Sequence, residues 1–246
     1  MYQKSIIFFV ILFLITNLLT AQIQVPTDRI LERTFFLQTD TLGGTCFSII
    51  YKEHEYVITA RHLFRKNITN NSLVKISIYI GGHPKICDAK CYLHKDTNVD
   101  IAVLKIPFVT SNKGSYDLSG TLLFGQDIYF CGFPSLGGSL YFTNAFIDKP
   151  YPIIKKGILS GGLKMNGYSI LLLDGHNNPG FSGGPVVFYD YSAKSYMIAG
   201  VISGYLIQEN EIVGDKTKQL LVQENSGIIL CFDIKNALDI IDNQKN

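Results

Sequence analysis

The sequence predicts an all-β protein with a β-sandwich or β-barrel architecture. Short segments rich in β-branched and aromatic residues recur along the chain, whereas helical periodicity is scarce. Glycine pairs at 43–44, 81–82, 137–138, 161–162 and 183–184 punctuate these segments, as turns would. Many short strands joined by turns are typical of sandwiches and barrels.

The predicted strands can be placed in chain order. Residues 74–80 alternate between apolar and polar side chains, which is the pattern of a half-buried strand. The other predicted strands cover 35–37, 46–51, 56–59, 101–104, 128–130, 169–173, 186–189 and 197–202. The most polar mid-chain stretch is 110–120, and we expect it to connect two parts of the fold. We expect a surface loop over 208–226, either covering a cleft or forming an excursion.

The C-terminal segment carries the best helical signal. Ile234, Leu238 and Ile241 recur at helical spacing behind Asp233, a residue type that caps helix N-termini. The sequence therefore predicts a short helix that closes the chain.

The first 21 residues have the build of a secretory signal peptide. Lys4 precedes an apolar run, and Ala21 offers a small residue for cleavage. The alternative is an uncleaved membrane anchor, but the 17 residues from Ser5 to Ala21 are at the short limit for spanning about 30 Å of hydrocarbon. We expect an exported protein, periplasmic or secreted, with no stable membrane insertion after cleavage.

Composition narrows the class of protein. The 47% hydrophobic content is that of a globular chain, and the 22 basic and 20 acidic residues leave a net charge of only +2. The basic residues form no stripe, so nucleic acid is not an expected partner.

A glycine-rich segment around Ser182 carries the strongest chemical signal. Gly180 precedes Phe181 and Ser182, and Gly183, Gly184 and an apolar strand follow. Flanking glycines permit a strained loop in which successive backbone N–H groups converge, as an oxyanion site requires. The alternative is a glycine-rich hairpin turn, which would not require proline and glycine at fixed offsets around one serine.

Two further segments supply a base and a group to orient it. His62 follows a predicted strand that ends in Thr59-Ala60, and Asp100 opens the apolar run 101–104. Taken singly, a histidine is more often structural, and an aspartate at a strand start more often belongs to a turn. Together with Ser182 they make up the set that acyl transfer needs.

These segments resemble the trypsin-like peptidase superfamily. Thr59-Ala60-Arg61-His62, Asp100-Ile101-Ala102-Val103-Leu104 and Gly180-Phe181-Ser182-Gly183-Gly184-Pro185 are similar to its three motifs, in the same order. The segments Gly132-Phe133-Pro134, Gly157-Ile158-Leu159-Ser160 and Asp174 to Pro185 further resemble bacterial peptidases of the HtrA/Deg kind.

The resemblance implies two antiparallel six-stranded β-barrels, over 22–115 and 116–246, with the short C-terminal helix in the second. It implies a serine endopeptidase without a cofactor or metal, acting on polypeptide substrates through a triad of His62, Asp100 and Ser182. It places the oxyanion hole at the N–H groups of Gly180 and Ser182. It assigns substrate binding to His176, Ser203, Gly204 and Tyr205. The alternative is a catalytically silent pseudopeptidase that binds peptides in the same cleft.

The sequence departs from the family pattern at several positions. Phe181 stands where digestive-type relatives have an aspartate that receives a freshly cut N-terminus, which implies that this chain is not activated in that way. Leu63 replaces the cysteine that brackets the histidine in animal relatives, so we expect Cys46 to be a free buried thiol. Tyr205 stands where many relatives have glycine, and nothing after residue 204 resembles a PDZ domain.

The cysteines offer a competing interpretation. His83, Cys87, Cys91 and His94 are spaced like zinc ligands. However, residues 86–93 alternate as a strand would, which places Cys87 and Cys91 on one core face about 13 Å apart. We therefore expect core residues at these positions, and an odd total of five cysteines leaves at least one thiol unpaired.

Overall fold

The computed structural model describes residues 28–112, 114–118, 120–135, 151–165, 167–212 and 220–245. The predicted signal segment 1–21 and the glycine pair 137–138 lie outside these ranges. Within them the chain forms twelve β-strands and two short α-helices. No helix among the described residues is long and apolar enough to cross a membrane.

Six strands close the first barrel, and a short helix, α1 (Asp28–Glu32), precedes it. The strands are β1 (Thr34–Gln38), β2 (Gly43–Tyr51), β3 (His54–Thr59), β4 (Ser72–Ile80), β5 (His83–Leu93) and β6 (Ala102–Lys105). Their order is β1-β2-β3-β6-β5-β4, and β4 pairs back onto β1 in the antiparallel sense.

Six further strands close the second barrel. They are β7 (Asp127–Gly132), β8 (Ile153–Met165), β9 (Tyr168–Asp174), β10 (Pro185–Asp190), β11 (Ser195–Ile212) and β12 (Leu220–Asp233), followed by α2 (Ile234–Asp242). Their order is β10-β11-β12-β9-β8-β7, and β7 pairs back onto β10. The predicted all-β fold of two six-stranded barrels with a short C-terminal helix is confirmed.

Successive residues of the apolar strands pack into different cores. Val57 and Leu104 point into the first barrel, and Val186 points into the second. Their neighbours Ile58 and Val187 belong to a third cluster, which joins the two barrels and the apolar face of α2. Because side chains alternate along a strand, a continuous apolar run fills two cores at once.

The glycine and loop predictions needed correction in two places. The pairs 43–44 and 161–162 lie inside β2 and β8 rather than at turns. In the expected loop over 208–226, the described residues are strands: β11 and β12 pair from Ile207 with Asn225 to Ile212 with Leu220, and 213–219 lie outside the described ranges. Its polar composition suggested a loop, but cross-strand side-chain bonds such as Asn210 to Glu224, at 2.9 Å, support a ladder between exposed strands.

The predicted cap of α2 is confirmed. The Asp233 carboxylate accepts a hydrogen bond from the Lys235 backbone N–H at 2.9 Å. Ile234 and Ile241 are buried, and Leu238 is partly buried and packs against the same cluster.

A buried polar network ties the segment between the barrels to the first barrel. Arg33 is 1% exposed, and its guanidinium forms an ion pair with Glu55 at 3.1 Å. It also donates to the carbonyls of Ser111 and Gly114 at 3.2 and 3.1 Å. The Thr110 N–H donates to Glu55 at 3.2 Å. This network holds the start of the predicted connection 110–120 in place.

Candidate active site

His62 sits where the first barrel turns away from β3. Thr59 ends the strand, Ala60 is extended, and Arg61–Leu63 form a single 3-10 turn. Leu63 is buried beneath the turn, whereas the His62 side chain is 43% exposed. The turn therefore anchors itself through Leu63 and presents the imidazole to solvent.

Asp100 binds His62 with both carboxylate oxygens. Its Oδ2 lies 2.7 Å from His62 Nδ1, and its Oδ1 accepts the His62 backbone N–H at 2.8 Å. The carboxylate side chain is only 18% exposed. A hydrogen bond to Nδ1 selects the tautomer that leaves Nε2 free to accept a proton.

Ser203 connects Asp100 to Ser182. Its hydroxyl donates to Asp100 Oδ2 at 2.5 Å, and its carbonyl accepts the Ser182 hydroxyl at 3.0 Å. The Ser182 hydroxyl thus bonds to Ser203 and not to His62. The structure brings all three predicted triad residues to one place, linked through Ser203.

The loop over 175–184, which we call the serine loop, is held by its carbonyl groups. Seven consecutive carbonyls, from His176 to Ser182, each accept a hydrogen bond. In order, their donors are Lys155 Nζ, Asn225 Nδ2, Phe181 N, Ser135 N, Thr45 Oγ1, Gly184 N and Thr45 N, at distances from 2.7 to 3.3 Å. This ladder fixes the path of the loop on either side of Ser182.

The N–H groups of Gly180 and Ser182 are left free by this arrangement. In a trans peptide the N–H points opposite to the preceding carbonyl. The carbonyls of Pro179 and Phe181 are engaged by Ser135 N and Gly184 N, so the two N–H groups face the other way. Neither donates to any residue in the described part of the chain. Two unpaired donors beside a serine hydroxyl can stabilise a developing oxyanion.

Gly180 and Gly183 adopt backbone conformations that require glycine. Their φ angles are +98° and +84°. A Cβ on Gly180 would lie 2.2 Å from the Phe133 carbonyl oxygen, and one on Gly183 would lie 2.1 Å from that of Thr45. The absence of side chains therefore allows the serine loop to approach the backbone of both barrels.

The predicted substrate-binding residues lie in two places. Ser203, Gly204 and Tyr205 follow one another on β11, and a Cβ on Gly204 would meet nothing within 4 Å. β10 pairs with β11 as far as Val201, and β12 occupies the opposite edge. Gly183 and Gly184 continue this pairing to the backbone of Ile202. The His176 side chain is exposed at the start of the serine loop, where only its carbonyl is bound.

The buried cysteine thiols are poor candidates for a nucleophile. All five cysteines are free, and Cys46 is buried as expected. Burial raises the pKa of Cys91 and of Cys131 to about 12, which leaves almost no thiolate near neutral pH. Cys91 and its neighbours Ala89 and Leu93 are buried on one face of β5, as predicted. Cys87, also expected in the core, is only partly buried and packs against the edge of the same cluster. Among the described residues no group of three or more His, Cys, Asp or Glu side chains is arranged to hold a metal.

Sequence reasoning missed three residues that hold the site together. Thr45, Lys155 and Asn225 all donate to the serine loop, from β2, β8 and β12 respectively. No local pattern distinguishes them, because each acts on a segment far away in the chain. The one local signal is the glycine pair 43–44 directly before Thr45, which suggested a turn and not a contact with a distant loop.

Comparison with known families agrees with this geometry. The family model described as "Trypsin-like peptidase domain" matches residues 44–192, more than half of the 246 residues. The chain belongs to the trypsin-like peptidase family. A search of curated proteins found no match to this sequence.

Solved structures of several proteases share the fold. The Rv3671c protease in its inactive form is 16% identical, with a TM-score of 0.54 over 87% of this chain and 89% of that chain. Its Ser343Ala mutant from M. tuberculosis H37Rv is 16% identical, with a TM-score of 0.53 over 86% of each chain. The HtrA-type protease AlgW with a tripeptide is 20% identical, with a TM-score of 0.57 over 87% of this chain but 60% of that chain.

Proposed function

We propose that this trypsin-like peptidase is a serine endopeptidase that cleaves peptide bonds through an acyl-enzyme on Ser182. The observation that carries the proposal is the pair of unbound N–H groups at Gly180 and Ser182, beside a hydroxyl linked through Ser203 to the His62–Asp100 pair. A nucleophile, a base with its orienting carboxylate and an oxyanion site are the parts that acyl transfer needs.

The proposed reaction begins with proton transfer from Ser182. After rotation of its hydroxyl from Ser203 towards His62, Oγ attacks the scissile carbonyl carbon while Nε2 takes its proton. The new oxyanion accepts hydrogen bonds from the N–H groups of Gly180 and Ser182. His62 then protonates the leaving amine as the C–N bond breaks, and the acyl group stays on Oγ.

Hydrolysis of the acyl-enzyme repeats the same steps with water. His62 takes a proton from water, and the hydroxide oxygen attacks the ester carbonyl. The proton then returns to Ser182 as the carboxylic acid product departs. Asp100 stays ionised throughout and stabilises the imidazolium that forms in each half-reaction.

A polypeptide substrate fits the free edge of β11. Beyond Ile202, whose backbone bonds to Gly183 and Gly184, that edge has no strand partner in the described ranges, and the space beside Gly204 is open. An extended peptide can add to such an edge through backbone hydrogen bonds. Ser203, Gly204 and Tyr205 would contact the substrate there, and His176 would lie near its side chain.

Labelling with a fluorophosphonate probe tests this proposal. The wild type is expected to react covalently at Ser182, and both Ser182→Ala and His62→Ala are expected to abolish labelling. Ser160→Ala is the matched control, because Ser160 is an exposed serine on β8. Labelling that persists in Ser182→Ala would overturn the assignment of the nucleophile.

One observation favours a catalytically silent peptide-binding protein as the second candidate. The Ser182 hydroxyl donates to Ser203 and not to His62, so the serine is not activated in this arrangement. A well-folded wild type that fails to label but binds extended peptides would establish this alternative.

A further inference from the structure

Lys155 on β8 makes three contacts with the serine loop. Its ammonium donates to the His176 carbonyl at 2.7 Å and also to the Asn178 side-chain oxygen. It lies 5.4 Å from the centroid of the Phe181 ring. A single side chain thus reaches three loop positions, the last of which is next to Ser182.

This placement differs from that of an ordinary surface lysine. Lys155 is partly buried, and it forms no ion pair with a carboxylate in the described part of the chain. Desolvation lowers its pKa from the usual range. The charge is therefore compensated by a carbonyl, an amide oxygen and an aromatic face. The next residue, Lys156, is exposed and pairs with Asp127 at 2.7 Å on the surface.

The Phe181 ring transmits this contact to the nucleophile. The ring is fully buried, and its centroid lies 5.5 Å from that of Phe130. A Cβ on Gly132 would come within 2.6 Å of the ring, so β7 packs closely against it. Because the Phe181 carbonyl is opposite the Ser182 N–H in the same peptide, a shift of Phe181 would turn that N–H.

The two halves of the serine loop are held by different kinds of donor. Its C-terminal half is held by Thr45, Ser135 and backbone groups of the loop itself. Its N-terminal half is bound by the side chains of Lys155 and Asn225, together with backbone bonds from Gly175 N to the Gly227 carbonyl and from Phe181 N to the Asn178 carbonyl. Loss of Lys155 would leave the His176 carbonyl and the Asn178 amide oxygen without these bonds.

We propose that Lys155 is a positioning residue that fixes the serine loop in the conformation in which the Gly180 and Ser182 N–H groups are free. It does so by binding His176, Asn178 and the Phe181 ring together. The inference rests on the proposed peptidase function, because it concerns the oxyanion site of that reaction.

Lys155→Met tests the inference, because methionine keeps an unbranched apolar side chain and removes the ammonium. Loss of one oxyanion donor lowers kcat about 10²- to 10³-fold in a well-studied protease, so a loosened site should cost about tenfold. We expect fluorophosphonate labelling and kcat to fall about tenfold with KM nearly unchanged. Lys156→Met, on the adjacent residue, should react like the wild type.

Two activity results would overturn the inference. Labelling of Lys155→Met at the wild-type rate would show that the loop does not depend on the ammonium. If Lys155→Met instead raises KM only for peptide substrates with an acidic side chain at the cleavage site, Lys155 is a specificity residue.

Hydrogen exchange in a Ser182→Ala background separates this inference from the proposed function, because it needs no activity. Adding Lys155→Met should speed amide exchange in peptides covering 175–184 about tenfold and leave exchange in β1–β6 unchanged. Adding Lys156→Met instead should leave exchange in 175–184 unchanged. Unchanged exchange in the serine loop would overturn the positioning role. A wild type that does not label would overturn the peptidase proposal, while the exchange result would still decide the role of Lys155 in holding the loop.

Discussion

Ser203 contributes two groups to the active site, and they bind different partners. Its carbonyl accepts the Ser182 hydroxyl, whereas its own hydroxyl donates to Asp100 at 2.5 Å. Asp100 Oδ2 therefore receives two donors, the Ser203 hydroxyl and His62 Nδ1. A hydrogen bond to an ionised carboxylate is shorter and stronger than one between neutral groups.

Ser203→Ala removes the hydroxyl and keeps the backbone carbonyl. A hydrogen bond to a charged group contributes about 1.5–3 kcal/mol, and about 1.4 kcal/mol corresponds to a factor of ten in rate. We expect kcat on a peptide substrate to fall about tenfold, measured at constant substrate and pH. An unchanged kcat would show that His62 alone is enough to orient Asp100.

The sequence motifs indicated which residues lie together in the site, but not the contacts between them. His62, Asp100 and Ser182 stand in short motifs, and the structure brings them together. Ser203 was predicted to bind substrate, but its hydroxyl bond to Asp100 was not. That contact joins residues 103 positions apart, and no local pattern encodes it.

At the scale of elements, the Arg33–Glu55 pair fastens the segment between the barrels. The side chains are 1% and 12% exposed, so both charges are largely removed from water. Removal of one partner leaves the other charge buried without compensation, which costs more than the pair contributes.

Glu55→Gln keeps the size of the side chain and removes its charge. We expect it to lower the free energy of unfolding by about 3 kcal/mol, measured by urea denaturation. Lys52→Met is the matched control, because the Lys52–Asp242 pair is 53% and 43% exposed and should contribute nothing measurable. Equal stability of the two variants would show that the buried Arg33 finds another partner.

Strands with an apolar face could be predicted, and the exposed hairpin could not. β4 alternates between apolar and polar residues, and β10 begins with an apolar run, so both strands can be recognised from the local sequence. The outer part of the β11–β12 hairpin mixes polar residues with exposed apolar ones such as Leu221, so it shows no buried face. Cross-strand partners such as Glu209 and Gln223, at 3.0 Å, support it. Such cross-strand pairs can be identified only when the register between the two strands is known.

At the scale of the whole molecule, the site is divided between the barrels. His62 and Asp100 belong to the first barrel, whereas Ser182 and Ser203 belong to the second. Thr45 on β2 bridges them, because its hydroxyl donates to the Gly180 carbonyl at 2.7 Å and accepts the Phe133 N–H at 3.0 Å.

Thr45→Val removes that hydroxyl with little change in volume. The Gly180 carbonyl and the Phe133 N–H lose their buried partner, at a cost of about 1–3 kcal/mol for an unsatisfied polar group. We expect a lower thermal midpoint and fluorophosphonate labelling about tenfold slower. Thr41→Val, at an exposed threonine in the β1–β2 turn, is the control. Lower stability with unchanged labelling would mean that Thr45 joins the barrels without shaping the oxyanion site.

The seven carbonyl acceptors of the serine loop have a consequence for how its sequence can diverge among relatives. A carbonyl is present at every position whatever the side chain, so these seven bonds depend on where the donors lie. Gly180, Gly183 and the buried Phe181 ring add separate requirements on the residues of the loop itself. Lysine, asparagine, threonine and main-chain amides all serve as donors here. Exposed side chains of the loop can thus change over evolution while the same backbone path is inherited. A search for relatives of this site should therefore compare the positions of the hydrogen-bond donors in space before it compares residue types in a sequence alignment.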